Sequence, residues 1–226
     1  MFHLRSRMTM VASALLVSLL AAQCVAQAEK SDKPEAKADI SKGKPLFDGK
    51  TLAGWKKTNF GGEGEVTVEN GQIVLEMGDP LTGITWKKAE TLPKDNYEIS
   101  LSAMKLKGDD FFCGLTFPVG DSHASFIVGG WAGGVVGISS INGFDASENE
   151  TTTYHRFKHD QWYHIRVRVA DGKLQAWIDD KQQVDVDLKD KKVSTRSEVD
   201  ISKPLGISAY HVKAALKDIQ LKRLGK

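Results

Sequence analysis

Side chains able to do proton chemistry gather with an aromatic residue in one stretch, Gly108–His159. Asp109-Asp110 lead it, and Asp121-Ser122-His123 follow. Trp131 stands between Gly129-Gly130 and Gly133-Gly134, and the acidic run Asp145-Ala146-Ser147-Glu148-Asn149-Glu150 precedes His155 and His159. Imidazoles and carboxylates in such proximity can pass a proton near neutral pH. His123, two residues from Asp121, is read either as a general base beside an acid or as the polar cap of a turn. Asp121, Asp145, Glu148 and His155 complete the acid/base candidates. Trp131, with only glycine and alanine around it, offers a flat apolar face to a ring-shaped ligand or packs against a sheet edge. Asn149 and Arg166 are the other candidate ligand contacts. Asp145, Glu148 and Glu150 also form a set of hard oxygen donors suited to a divalent cation such as Ca²⁺, or else a solvated acidic loop. His155, His159 and His164 lie close together in the chain, but no helix is expected there to align them as metal ligands.

These residues are carried by strands. From Pro45 onward, short apolar runs alternate with Gly, Asn, Asp and Pro at the spacing of an all-β sandwich or barrel. Asn96–Met104 places Tyr97, Ile99, Leu101 and Ala103 on one face. Trp162–Ala170 turns Tyr163, Ile165, Val167 and Val169 inward and leaves His164, Arg166 and Arg168 on the polar face. Asp171-Gly172 then makes a tight turn into Lys173–Asp179. Further strands are expected over Val66–Val68, Gln72–Glu76, Ile84–Trp86, Phe111–Phe117, Ser125–Val128, Val135–Ile141, Thr151–Phe157 and Leu205–Tyr210. Lys213–Leu224 is read as a closing strand with a slip near Lys217. Cys113, inside the apolar run Phe111–Leu115, is expected to be a buried thiol.

Three stretches carry a family resemblance. Leu46-Phe47-Asp48-Gly49-Lys50-Thr51-Leu52-Ala53-Gly54-Trp55 opens the domain and Val68-Glu69-Asn70-Gly71-Gln72-Ile73 follows. Trp162-Tyr163-His164-Ile165-Arg166-Val167, Trp177-Ile178-Asp179-Asp180 and Leu216-Lys217-Asp218-Ile219-Gln220-Leu221 come near the end. Together they resemble the secreted domain named for 3-keto-disaccharide hydrolases and 3-keto-glucoside lyase/hydratases, over roughly residues 45–224. The resemblance implies an all-β, concanavalin-like jelly-roll sandwich of antiparallel strands, with sugars handled on or beside its concave sheet. Its central Asn-Ser-Gly-(apolar)-(aromatic)-Arg and Gly-Tyr-Glu-x-Gln stretches are replaced here by Phe111–Phe117 and Ser125–Gly130, so no catalytic residue transfers by position. The chemistry it implies is removal of the proton on C2 of a 3-keto sugar, which needs a base, a group to hold the enolate oxygen and an acid for the leaving group. His123 and the Asp145–Glu150 loop are the candidates for the acid/base work, and Trp131 is the platform.

The chain contains 226 residues, with Lys+Arg 31 against Asp+Glu 29. The basic surplus sits in the first eight residues, ahead of the apolar run Val11–Ala22 and the small-x-small site Ala26-Gln27-Ala28, the layout of an export signal. Residues 1–28 are therefore expected to be cleaved, with 29–44 a charged linker and 45–226 the sandwich domain. Gln23 before Cys24 argues against a lipid anchor. The chain left after cleavage carries as many acids as bases, which argues against a nucleic-acid partner and against binding to an anionic membrane. The expected destination is the periplasm or the medium. The chain lacks both the alternating acids of a retaining glycosidase strand and a Gly-x-Ser-x-Gly elbow. The sequence thus leaves a 3-keto-glycoside hydrolase or lyase first, a non-catalytic carbohydrate-binding module second, and a cell-surface adhesion domain third.

Overall fold

The computed structural model describes residues 43–225, so the expected export signal and almost all of the expected linker lie outside the described residues. In chain order the strands are β1 (Lys44–Pro45), β2 (Trp55–Lys57), β3 (Val66–Glu69), β4 (Gln72–Leu75), β5 (Leu81–Trp86), β6 (Tyr97–Lys107), β7 (Cys113–Val119) and β8 (Ser122–Gly129). There follow β9 (Val135–Ser139), β10 (Thr153–Tyr154), β11 (Trp162–Ala170), β12 (Lys173–Ile178), β13 (Lys181–Asp187), β14 (Gly206–Tyr210) and β15 (Lys213–Arg223). They form two antiparallel sheets. The eight-stranded sheet runs β13-β12-β11-β6-β15-β4-β3, with β1 also on β15, and the seven-stranded sheet runs β10-β9-β8-β7-β14-β5-β2. Lys44 and Pro45 already pair with Leu221 and Gln220.

The alternation in the sequence produces this arrangement directly. On β6 and β11, Ile99, Leu101, Ile165 and Val167 have no exposed surface and face Leu115, Phe117 and Phe126 of the other sheet in one core. Burying each such side chain is worth about 1.5–3 kcal/mol. The β11–β12 turn holds Asp171 at φ 55° and Gly172 at φ 71°, the left-handed pair a two-residue hairpin of this twist requires. The slip in the last strand is a register shift between Lys217 and Gln220, with Asp218 at φ 55°. Cys113 is fully buried, and burial pushes its thiol pKa well up. Of the strand expected over Thr151–Phe157 only Thr153 and Tyr154 pair, because Thr151 turns its hydroxyl and amide to Asn149 instead of to a neighbour strand. β13 was not expected, although Val184 and Val186 are buried and its intervening acids exposed, as period two requires.

The seven-stranded sheet has an unusual outer face. Its register lines up Thr85, Gly206, Thr116, Ser125 and Ser139 across five strands. The next row is Gly83, Ser208, Gly114, Ile127 and Gly137. One row is small hydroxyls apart from Gly206 and the other is mostly glycine, so the sheet presents a low floor on which other segments settle.

Candidate functional site

A cleft of about 230 Å³ opens over this floor. Ser125, Ile127 and Ser139 lie at its base, and Phe111, Trp131 and Tyr210 supply aromatic walls. Phe111 lies over Gly114, where a Cβ would come within 3.0 Å of its ring, and it tilts against Tyr210 with ring centroids 5.6 Å apart. Glycine at 114 is therefore what lets the aromatic wall sit down on the sheet. Thr116 and Ser125 satisfy each other at 2.8 Å beneath it.

The Trp131 wall is a turn in uncommon backbone. Gly129, Trp131, Ala132 and Gly133 have φ of 84°, 49°, 64° and 96°. Left-handed backbone costs a non-glycine residue about 1–2 kcal/mol, so something must hold Trp131 and Ala132 there. Asp110 does so in part: its carboxylate accepts from the Phe111 amide at 2.8 Å and the Ala132 amide at 3.1 Å. The indole keeps 43% of its surface exposed, against 8% or less for the buried Trp55, Trp86 and Trp177. Strain kept at a cleft wall that presents an open aromatic ring is the usual mark of a functional position.

The opposite rim carries charge. The 3₁₀ turn Ser197–Ser202, with Arg196 just before it, packs over β5 and β14 and brings Arg196, Glu198 and Val199 to the cleft. Arg196 donates through Nε to Glu198 and through Nη1 to Asp145. Burial works against the guanidinium charge, but the hydrogen bonds and charges of Glu198 and Asp145 outweigh it and raise the Arg196 pKa. Asp145 also accepts from Ser139 Oγ at 3.2 Å and Ser140 Oγ at 3.0 Å. The result is a carboxylate–guanidinium–carboxylate chain along one lip of an aromatic cleft.

The residues singled out in the sequence part company here. Trp131 lines the cleft, and Asp145 reaches it through Arg196. Asn149 does not: its amide nitrogen serves the carbonyls of Ile138 (2.7 Å), Phe144 (3.0 Å) and Asp145 (2.7 Å), and its oxygen accepts from the Thr151 amide and hydroxyl. It holds the acidic loop together and has no capacity left for a ligand. Arg166 lies on the outer face of the other sheet, paired with Glu98 at 2.8 Å and stacked 3.7 Å over Trp177. The whole thickness of the sandwich, ~10 Å between sheets, separates it from Trp131. His123 is on the same outer face as Ser125 but two residues earlier in β8, beside Lys203 and Asp200. Burial first, then the Lys203 charge, lowers its pKa against the pull of Asp200. Asp121 is exposed in the β7–β8 turn, where Lys94 at 2.8 Å holds its carboxyl below the usual range; it does not partner His123.

Glu148 is exposed in the acidic loop and Glu150 pairs with Lys191, while Asp145 is taken by Arg196. Among the described residues no three His, Cys, Asp or Glu side chains converge as a metal set. His155 lies beyond the Trp131 turn, in a second cleft, with its ring 4.5 Å from that of Phe157. Arg196, Glu198 and Tyr210 were not singled out in the sequence. Their chain neighbours carry no motif, and only the folding of residues 195–203 over the sheet brings them to the cleft.

An antiparallel sandwich with an aromatic, hydroxyl-floored cleft on one sheet is the architecture of a carbohydrate-active domain, and the comparisons agree. Residues 42–222 match the model of the 3-keto-alpha-glucoside-1,2-lyase-like domain, and the chain belongs to that family. No curated protein matches the sequence. Among solved structures, the chain is similar to a candidate glycosyl hydrolase from Parabacteroides distasonis ATCC 8503, at 19% identity over 80% of this chain and 93% of that one, with a TM-score of 0.50. It is also similar to the carbohydrate recognition domain of Emp47p, at 14% identity over 86% of this chain and 100% of that one, with a TM-score of 0.52. Both likenesses show the jelly-roll fold.

Proposed function

We propose that the protein is exported and acts on a 3-keto-glycoside bound in the Trp131 cleft, cleaving the glycosidic bond by elimination. The observation that carries this reading is the pairing of a carboxylate, Glu198, with a guanidinium, Arg196, on the lip of a cleft whose walls are aromatic. A ketone at C3 acidifies the hydrogen on C2. Glu198 takes that proton, the C–H electron pair moves to form the C2–C3 enolate, and the charge gathers on the C3 oxygen. Arg196, always protonated, donates to that oxygen and stabilises it. The enolate then collapses to a C1–C2 double bond while the C1–O bond breaks. The departing oxygen keeps the bonding pair and receives the proton from Glu198, and water adding across the new double bond completes a net hydrolysis. Trp131, Phe111 and Tyr210 would orient the ring and keep water from the enolate. The cleft is smaller than the ~300–1,000 Å³ that encloses a drug-sized ligand, which fits recognition of one ring and its linkage.

A second reading, a carbohydrate-binding module without turnover, is favoured by the occupancy of both carboxylates: Glu198 and Asp145 are each already bonded to Arg196. The two readings separate in one experiment. The purified chain is incubated with a 3-keto-disaccharide and with its unoxidised parent, and product release is followed. Turnover of the keto sugar alone, falling by about 100-fold or more in Glu198→Gln as for loss of a general base, is the expected result. Binding of both sugars with no turnover of either overturns the catalytic reading and leaves the module.

A further inference from the structure

The far side of the Trp131 turn holds a second cleft that the elimination chemistry does not use. At its floor is Lys105, which sits at an inward-facing position of β6 and is only 4% exposed. A lysine so largely buried normally has close partners for its ammonium, since a poorly compensated charge away from bulk water is costly. The nearest carboxylate is Asp109 at 3.8 Å, beyond hydrogen-bond range, and Asp109 itself is 82% exposed. No hydrogen bond reaches the Lys105 ammonium from the described residues. Gly133 roofs it: a Cβ there would stand 3.8 Å from Nζ, so glycine keeps the approach open. His155 and the exposed Arg156 line the same cleft. His159 is turned away by its bond to the Gly108 carbonyl at 3.0 Å.

We propose that this cleft takes the anionic group of an acidic sugar, a carboxylate or a sulfate ester, bound by Lys105 and Arg156. The proposal rests on the reading of the Trp131 cleft as a sugar site and narrows its ligand class. The same turn walls both clefts, with Trp131 facing one and Ala132, Gly133 and Gly134 the other. Asp110 and Asp109 divide in the same way. A sugar stacked on Trp131 therefore has its neighbouring residue or substituent directed over the turn toward the ammonium. Two cations facing one lone exposed carboxylate give the second cleft a positive surplus that a neutral glycan would leave uncompensated.

The test is calorimetric titration of the purified chain, at physiological salt, with glucose, glucuronate, glucose 6-sulfate and inorganic sulfate. One or both sugar acids are expected to bind about tenfold or more tighter than glucose, the size of one charge-assisted hydrogen bond; which acid does so identifies the source of the anion. The advantage is expected to fall in Lys105→Met and in Arg156→Gln, while glucose binding is unchanged in both. Arg156 is exposed, so its variant keeps the test decisive where the buried lysine cannot be replaced without unfolding. Glucose binding with no advantage for either acid overturns the proposal and leaves the sugar reading intact. An advantage that survives both variants overturns the assignment to this cleft. Inorganic sulfate binding as tightly as the sugar acids overturns the acidic-sugar ligand; failure of every sugar here overturns the proposal, and the sugar reading falls with it only if the 3-keto-disaccharide is neither bound nor turned over.

Discussion

Replacing Asn149 by alanine separates a ligand contact from a structural hub. Its side chain makes five hydrogen bonds, three from Nδ2 to the carbonyls of Ile138, Phe144 and Asp145 and two accepted from Thr151. A net hydrogen bond is worth about 1 kcal/mol, and a buried group stranded by truncation costs about 1–3 kcal/mol. Thr151 is buried and cannot turn to water, whereas Phe144 is exposed and its carbonyl can. Counting the four more buried bonds in full and the exposed one as replaceable, Asn149→Ala should cost about 4 kcal/mol. For a domain of this size that is a fall in Tm of about 8–16 °C. Asn149→Asp should do no better, because it points a carboxylate oxygen at three carbonyls. Loosening the loop also frees Asp145, and with it one of the two anchors of Arg196. Thermal denaturation alongside glucose titration reads both effects. A variant that melts within about 2 °C of the parent, no more than the shift expected for one lost hydrogen bond, while losing sugar affinity would refute the reasoning and restore Asn149 as a ligand contact.

Three other outcomes follow from the same packing. Phe112 has no exposed surface and meets Phe157 edge-on at 5.1 Å, so Phe112→Ala should lower unfolding free energy by about 3–5 kcal/mol in a denaturant titration. Arg166→Met leaves Glu98 without its partner and should cost about 1–3 kcal/mol, yet leave sugar affinity unchanged; a loss of affinity would place ligand on the other sheet. His123 and His164 both have lowered pKa values, from burial first and then from Lys203 and Arg166 respectively. A lowered histidine pKa means that the unfolded chain takes up protons before the folded one. Stability should therefore be fully present above the unfolded value of about 6.5 and decline as pH falls below it. The decline should shrink in the His123→Gln, His164→Gln double variant, and an unchanged pH slope in that variant would show that neither ring is responsible.

Much of the architecture was readable from residue order because it depends on local rules. The period-two alternation of β6 and β11, the left-handed Asp171-Gly172 turn and the bulge at Asp218 each follow from side-chain type and backbone freedom within a few residues. Cys113 was readable in the same way, in phase with Leu115 and Phe117 on the inward face of its strand. Trp131 stood out for a local reason too, since no bulky neighbour in the chain could cover its ring.

The rest depended on residues distant in the chain. In the sequence Arg166 and Trp131 are both candidate ligand contacts, but strand order places them on the outer faces of opposite sheets. Asn149 looked like a ligand contact until its carbonyl partners were in place. Arg196 reaches Asp145 across 51 residues, and Phe111 reaches Tyr210 across the β7–β14 pairing. The sequence by itself therefore determined the sandwich and most of its strands, and singled out Trp131. Only the tertiary structure decided the cleft, because register between strands sets which hydroxyls and glycines form a floor, and the packing of residues 195–203 over that floor sets which charges stand at its rim.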